Sequence, residues 1–137
     1  VARPSNEREY MDLARRKTGA LFRAAAELGA VAAGADPFTV EAFGEYAERV
    51  GVAFQIRDDV LDATADAADL GKPTGQDAEM DRPSLVQVTD LSAEEANQRA
   101  HDQSEQALEA LAASNVDDSE PLGYLQDLAE FVVVRER

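Results

Sequence analysis

The sequence predicts an all-α protein, a helical bundle, from three observations. Hydrophobic residues make up 45% of the chain, enough for a packed core. The sequence is rich in Ala, Leu, Glu and Arg, residues that favour helices. Between 39 and 64, apolar side chains recur at the three- and four-residue spacing of a helix face. No segment shows convincing strand alternation outside the short run 131–134, and 137 residues suit one domain or a piece of one.

The first two predicted helices are long. The first runs from about 7 to a glycine at 29 or 34, since glycines commonly end helices. The second runs from about 39 to 64, and Asp36 or Thr39 can cap its first turn. Gly51 interrupts this second helix, which indicates close packing or a bend.

The second half of the chain begins with a predicted loop. Glycines and prolines in 66–83 end the helical pattern, and 84–89 could form a short helix. Ser92-Ala93-Glu94-Glu95 fits a capping box, which predicts a helix from there to about 113. A polar turn follows, and Pro121 lies near the start of a last helix.

The charge balance is strongly acidic, with 28 acids against 13 bases and a net charge of -15. Such a surface repels nucleic acid and anionic membranes. Eleven of the bases are Arg and two are Lys, and an acidic, lysine-poor surface resembles proteins adapted to high salt. The alternative is an ordinary acidic cytosolic protein. Neither a membrane span nor a signal peptide is recognisable, so we expect a cytoplasmic location.

The same composition limits the kinds of metal site. Cysteine is absent and there is one histidine, which excludes disulfides, thiolate sites and multi-histidine sites. A bound metal would therefore be a hard cation held by oxygen ligands.

An acidic motif at the end of the second predicted helix carries the chemistry. Asp58 and Asp62 are four residues apart and share a helix face, and Asp59 flanks them. Three carboxylates in this arrangement repel one another unless a cation neutralises them, and Mg²⁺ is suited to that role. The alternative is a solvated acidic face. Phe54 before the motif and Val60 within it favour the metal interpretation, because a solvated face is not normally framed by apolar residues.

The two lysines are the second functional signal. Lys17 lies within the first predicted helix, and Lys72 opens the glycine-rich loop after the carboxylates. Lysine is a compact point charge suited to phosphate, so a lysine-poor chain that keeps two indicates an anion site. The alternative is chance placement.

Taken in order, these motifs resemble those of the C-terminal half of trans-isoprenyl diphosphate synthases, the farnesyl and geranylgeranyl diphosphate synthases. The resemblance covers roughly 10 to 82 and predicts that 1–137 is the C-terminal part of a single isoprenoid-synthase domain. It is carried by Lys17-Thr18-Gly19, Phe54-Gln55, Asp58-Asp59-x-x-Asp62, Leu70-Gly71-Lys72 and Gly75-x-Asp77.

The resemblance implies a role for each site residue. Asp58 would be the main Mg²⁺ ligand, with Asp59 and Asp62 supporting it through water or secondary contacts. An allylic diphosphate would be held by the two lysines, and a pocket near the reacting prenyl chain would be formed by Thr18, Gln55 and Phe54. Arg82 stands where the family usually has Lys and could still reach phosphate. The implied catalytic residues are Lys17, Thr18, Gln55 and Lys72; the implied substrate-binding residues are Lys17, Thr18, Phe54, Gln55, Lys72 and Arg82.

The implied activity is condensation of isopentenyl diphosphate with an allylic diphosphate to give farnesyl or geranylgeranyl diphosphate. The family's first Asp-rich motif lies in the N-terminal half, so we expect a fragment that is inactive alone and depends on that half. The parent is expected to be a homodimer. One alternative is a non-catalytic helical subunit of a heteromeric prenyl synthase. Another is a class I terpene cyclase, but no Asn/Ser/Glu triad follows on a later helix.

Overall fold

The structure is a computed structural model that describes residues 6–68, 91–114 and 120–135. In these residues the regular structure is helical, with no strand, as the sequence predicts. The run 131–134 lies inside a helix rather than a strand. The predicted loop at 66–83 is wrong at its start, because 66–68 belong to a helix that continues to Ala68. The rest of that loop, including Lys72 and Arg82, and the predicted short helix at 84–89 lie outside the described residues.

The first predicted helix is present but changes its winding midway. Helix α1 (Glu7–Ala14) runs into a π-helical segment (Arg15–Gly19) and then into α2 (Ala20–Ala32). The joints at 14, 19 and 20 have ordinary helical backbone angles, so the chain does not break there. Asn6 caps α1 by accepting from the Glu9 N–H at 2.9 Å. The π-helical segment was not predicted from the sequence.

Gly34 ends the first helical stretch, which confirms one of the two predicted stops. Its φ of 81° lies in the left-handed region that glycine adopts without steric cost. The Gly34 N–H donates to the Val31 carbonyl, and the Ala35 N–H donates to the Ala30 carbonyl, each at 3.0 Å. These bonds satisfy carbonyls at the end of α2.

Helix α3 (Pro37–Ala68) is the centre of the fold and contacts all the other helices. Its start follows the predicted chemistry, because Asp36 accepts from the Thr39 N–H at 2.7 Å and Pro37 occupies the first turn. Hydrogen bonds from the backbone and side chain of Thr39, and from the backbone of Phe38, lower the pKa of the Asp36 carboxyl.

Two helices from the second half of the chain pack on α3. Helix α4 (Ala93–Ala113) begins at the predicted capping box, in which Ser92 and Glu95 each accept from the other's backbone N–H. Helix α5 (Glu120–Val134) follows. The Tyr46 hydroxyl ties α3 to α5 by donating to the Leu125 carbonyl at 2.7 Å, and burial raises the pKa of Tyr46 to about 12.

The core is formed largely by small side chains. Alanines at 53, 96, 100, 107 and 129 are fully buried, and Ile56 is the largest side chain with no exposed surface. Such residues let helix axes approach closely, and Tyr10 and Tyr46 are the aromatic members of the same buried core.

Gly51 confirms the close packing that its position predicts. A Cβ added there would lie 3.1 Å from the Thr18 carbonyl oxygen, 3.2 Å from the Gly19 Cα and 3.1 Å from the Phe22 Cγ. The first two atoms belong to the backbone, which yields less readily than the end of a flexible side chain. Glycine at 51 therefore lets α3 pack directly against the π-helical segment, which carries Thr18.

Two apolar surfaces are exposed. The α2 face consists of Leu21, Leu28 and Val31, and the α5 face consists of Tyr124, Leu128, Phe131 and Val134. Within the described residues, no helix is both long and apolar enough to cross a membrane.

Candidate functional site

The candidate site lies where the π-helical segment meets the second half of α3. The Thr18 hydroxyl donates to Gln55 Oε1 at 2.8 Å, which joins two predicted site residues 37 positions apart. A π-turn adds a residue to one helical turn, and such turns are frequent at functional sites. Here the altered winding coincides with the predicted Lys17-Thr18-Gly19 motif.

Asp59 lies on the inner side of this contact. Asp59 is 5% exposed, and its carboxylate accepts from Gln55 Nε2 at 3.1 Å and from the Tyr10 hydroxyl. These hydrogen bonds from two neutral donors stabilise the carboxylate, because a buried charge without hydrogen-bond partners is costly. Thr18, Gln55, Asp59 and Tyr10 therefore form one hydrogen-bonded chain, which we name the Tyr10–Thr18 relay.

Asp58 lies on a more accessible side of α3. Its side chain is 30% exposed, and its Oδ1 is 3.8 Å from Nη2 of Arg135. The Arg135 guanidinium also lies over the Phe54 ring, 4.5 Å from the ring centre. Since that distance is within the range of a cation–π contact, Arg135 connects the aromatic wall and the first aspartate of the motif.

Arg57 holds the end of α5 in this position. It donates to the Arg135 carbonyl from Nε at 2.9 Å and from Nη2 at 2.7 Å, and to Asn97 Oδ1 from Nη1 at 2.9 Å. A guanidinium can make these bonds together because its donors are fixed in a planar fork. Arg57 thus ties α3, α4 and the chain after α5 together beside Asp58.

The three aspartates are not gathered into one ligand cluster. Within 6–68, 91–114 and 120–135 no group of three or more His, Asp or Glu side chains is arranged to hold a metal ion. Asp58 and Asp62 are partly exposed, whereas Asp59 is buried against Tyr10 and Gln55. Oxygen ligands of this kind fit Mg²⁺, which commonly takes one or two protein carboxylates and completes its shell with water and phosphate.

The other predicted site residues are placed as follows. Lys17 is exposed on the π-helical segment, next to the half-buried Thr18. Phe54 is 36% exposed, and its ring centre is 6.1 Å from that of Phe22. The predictions for Lys72 and Arg82 fall outside the described residues.

Sequence reasoning missed two residues of the site. Tyr10 is seven residues before Lys17, a spacing of two helical turns, so a polar-tipped aromatic there was a detectable signal. Arg135 is 77 residues from Asp58, and nothing local in the sequence joins the two.

The sequence model of the polyprenyl synthetase family matches residues 2–120. The chain belongs to this family. Among curated members, the short chain isoprenyl diphosphate synthase of Methanocaldococcus jannaschii is 40% identical over 112 residues, which cover 82% of this chain and 33% of that protein. The farnesyl diphosphate synthase of Escherichia coli is 37% identical over 127 residues, 90% of this chain and 40% of that protein.

A solved structure shows the same fold for this polyprenyl synthetase chain. The geranylgeranyl pyrophosphate synthetase of the archaeon Geoglobus acetivorans superposes with a TM-score of 0.70 at 26% identity, over 98% of this chain and 49% of that protein. The chain therefore spans between a third and a half of the length of these relatives.

Proposed function

We propose that this chain contributes part of the active site of a chain-elongating prenyltransferase, which condenses isopentenyl diphosphate with an allylic diphosphate to give farnesyl or geranylgeranyl diphosphate. The observation that carries the proposal is the 2.8 Å bond between Thr18 and Gln55, since it unites two separate motifs of the resemblance in one site. Family membership and the activities in the relatives' names support the same reading. A cytoplasmic location belongs to the proposal.

The metal part of the proposal concerns Asp58 and Asp62. Their partly exposed carboxylates supply the hard oxygen donors that Mg²⁺ prefers, and Asp59 supports them from the interior rather than as a direct ligand. Bound Mg²⁺ would supply electrostatic stabilisation of a departing diphosphate. The Arg135 guanidinium near Asp58 limits the local build-up of negative charge when no metal is bound.

The remaining residues bind and orient the substrate. Lys17, Lys72 and Arg82 supply positive charge for the diphosphate, which the net charge of -15 would otherwise repel. Thr18 and Gln55 fix the pocket next to the prenyl chain, and Phe54 forms part of its wall.

A calorimetric titration with Mg²⁺ and inorganic diphosphate tests the anion site in the complete protein that contains this chain. We expect that protein to bind the pair, and Asp58→Asn to weaken the binding by tenfold or more, about 1.4 kcal/mol. Glu109→Gln is the matched control, because it removes the same charge from an exposed position on α4. Absence of binding by the unmodified complete protein, or equal effects of the two variants, would contradict the proposed site.

The partner part of the proposal concerns the two apolar faces. We propose that the α2 face and the α5 face are covered by further helices of the same fold, because the relatives are two to three times longer than this chain and exposed apolar stripes of this size are costly in water. A homodimer of the complete protein is the next level of assembly. Light scattering at micromolar concentration should show association of the isolated chain, and a stable monomer would contradict this part.

The enzymatic claim differs from that of a non-catalytic subunit in one measurable respect. The protein encoded by the gene that contains this chain should transfer labelled isopentenyl diphosphate onto geranyl diphosphate in the presence of Mg²⁺. Reading that gene upstream of Val1 should reveal a second Asp-rich motif. Binding of Mg²⁺ and diphosphate without transfer by the encoded protein would favour the subunit.

A further inference from the structure

Tyr10 is a buried group in the site to which none of the predicted roles applies. It is 2% exposed, and its hydroxyl is the only polar atom of its side chain. That hydroxyl donates to Asp59 Oδ2, while Gln55 Nε2 donates to the other carboxylate oxygen at 3.1 Å. The chain of bonds then continues from Gln55 to Thr18.

The chemistry of the groups fixes the direction of every bond in this relay. An ionised carboxylate only accepts, so Gln55 must present its amide nitrogen to Asp59 and its carbonyl oxygen to Thr18. Because that oxygen also only accepts, the single hydroxyl proton of Thr18 is committed to Gln55. Thr18 therefore faces any ligand as a hydrogen-bond acceptor.

We propose that Tyr10 is a positioning residue, whose hydroxyl holds the Asp59 carboxylate so that Gln55 keeps one orientation and Thr18 keeps its acceptor role. The inference rests on the proposed function for its consequence, since Thr18 and Gln55 are placed beside the prenyl chain. It goes beyond that function in giving a role to a residue that touches no substrate.

Helix geometry explains why the hydroxyl is needed. Gln55 and Asp59 lie four apart on α3 and could bond to each other without help. Tyr10 comes from a different helix, α1, and binds the other carboxylate oxygen on the buried side. Its hydroxyl therefore fixes the Asp59 carboxylate relative to two helices, and with it the end of Gln55 that faces Thr18.

The chain offers a matched control for the loss of a buried tyrosine hydroxyl. Tyr46 is 6% exposed and donates to the Leu125 carbonyl at 2.7 Å, outside the relay. Tyr10→Phe and Tyr46→Phe each remove one buried hydrogen bond, so both should lower stability. We expect Tyr10→Phe alone to alter the relay.

Two readouts separate positioning from simple stability. The first is the side-chain amide resonance of Gln55 in an NMR spectrum, assigned by its loss in Gln55→Leu. It should shift in Tyr10→Phe and stay in place in Tyr46→Phe. The second is calorimetric affinity in the presence of Mg²⁺. Tyr10→Phe should weaken geranyl diphosphate binding about tenfold, as loss of an orienting partner commonly does, and change inorganic diphosphate binding less than about threefold.

The outcomes distinguish this inference from the proposed function. An unshifted Gln55 resonance in Tyr10→Phe overturns the inference even if diphosphates bind. A chain that binds no diphosphate refutes the proposed function, while the NMR comparison still decides the relay. Should Tyr10→Phe fail to fold, the unmodified chain decides: a protected Tyr10 hydroxyl proton with a cross-peak to the Gln55 amide supports the relay, and absence of that cross-peak overturns it.

Discussion

The two halves of α3 hold negative charge in different ways. In the first half, Glu41, Glu45 and Glu48 converge on Arg23 of α2, with N–O distances of 2.6, 3.6 and 2.9 Å. In the second half, the buried Asp59 is held by the neutral donors Tyr10 and Gln55. We name the first arrangement the Arg23 cluster and compare it with the Tyr10–Thr18 relay.

The difference bears on which acidic group is proposed to bind a cation. In the Arg23 cluster, burial by itself lowers the pKa of Arg23. The hydrogen bonds that Arg23 donates to Glu41 and Glu48, together with the negative charge of these residues, outweigh burial and raise that pKa. A further cation there would have to break an existing ion pair. Tyr10 and Gln55 hold Asp59 through neutral donors, which add no positive charge, and the neighbouring Asp58 and Asp62 are the carboxylates proposed to bind Mg²⁺. Both halves of α3 contain several acidic residues, so the number of acidic residues in the sequence did not distinguish the two arrangements.

The largest effect is expected at Gly51, where α3 packs against the π-helical segment. Gly51→Ala would push a methyl group to within 3.2 Å of the backbone of Thr18 and Gly19. Overpacking against this backbone should lower the free energy of unfolding by about 1–3 kcal/mol, measured by urea unfolding. It should also separate Thr18 from Gln55.

Gly29→Ala is the control for this substitution. Nothing lies within 4 Å of an added Cβ at 29, and the residue is inside α2. Alanine should therefore stabilise the protein by about 0.5–1 kcal/mol through helix propensity. A destabilising Gly29→Ala or a neutral Gly51→Ala would contradict the packing described.

The second effect tests the Arg23 cluster. Arg23 is 23% exposed, so Arg23→Met should lower the free energy of unfolding by about 2 kcal/mol, less than a fully buried pair would. The loss should shrink in 1 M KCl, because salt screens the repulsion among the glutamates left behind.

Arg99→Met provides the comparison for Arg23→Met. Arg99 pairs with Glu7 at 2.9 Å, but both side chains are more than a third exposed. A surface pair contributes about 0–1 kcal/mol, so this variant should be nearly neutral. Equal losses in the free energy of unfolding from the two substitutions would contradict the expectation that burial strengthens the ion pairs of Arg23.

A smaller effect is expected from salt on the unmodified chain. With a net charge of -15, raising KCl from 0.05 to 1 M should increase stability by roughly 1 kcal/mol or more, since the screening length shortens from about 14 Å to about 3 Å. Circular dichroism thermal melts measure this, with sucrose of equal osmolality as the control. Full stability at low ionic strength would contradict adaptation to high salt.

The smallest effect concerns the cap at the start of α3. Hydrogen bonds lower the pKa of Asp36 in the folded state, so its contribution is present above the unfolded pKa of about 3.9 and is lost as the pH falls through the lower folded value. Asp36→Asn keeps a capping side chain that does not titrate. Urea midpoints of the two proteins should therefore converge as the pH falls from 5 to 2, and a constant difference would contradict the assignment.

Local features of the sequence were enough to predict most of the helices. The start of α3 at Asp36, the capping box at 92–95 and the stop at Gly34 all depend on neighbours within a few residues, so they could be read directly. The predicted boundary of α3 at 64 falls short of the observed end at 68. The π-helical segment was not predicted, because no local pattern within 15–19 distinguishes it from an α-helix, and its close contact with α3 at Gly51 is visible only in the structure.

The same distinction applies to the site: its local motifs could be read from the sequence, whereas its contacts between distant residues could not. The sequence by itself determined the all-helical class, the family and the motif residues Thr18, Gln55 and Asp58, because residue types at fixed spacing carry that information. The tertiary structure decided that Asp59 turns inward to Tyr10 and that Arg135 lies beside Asp58. Those partners are 49 and 77 residues away, and only the packing of separate helices can bring groups so distant in sequence to hydrogen-bonding or ion-pair distance.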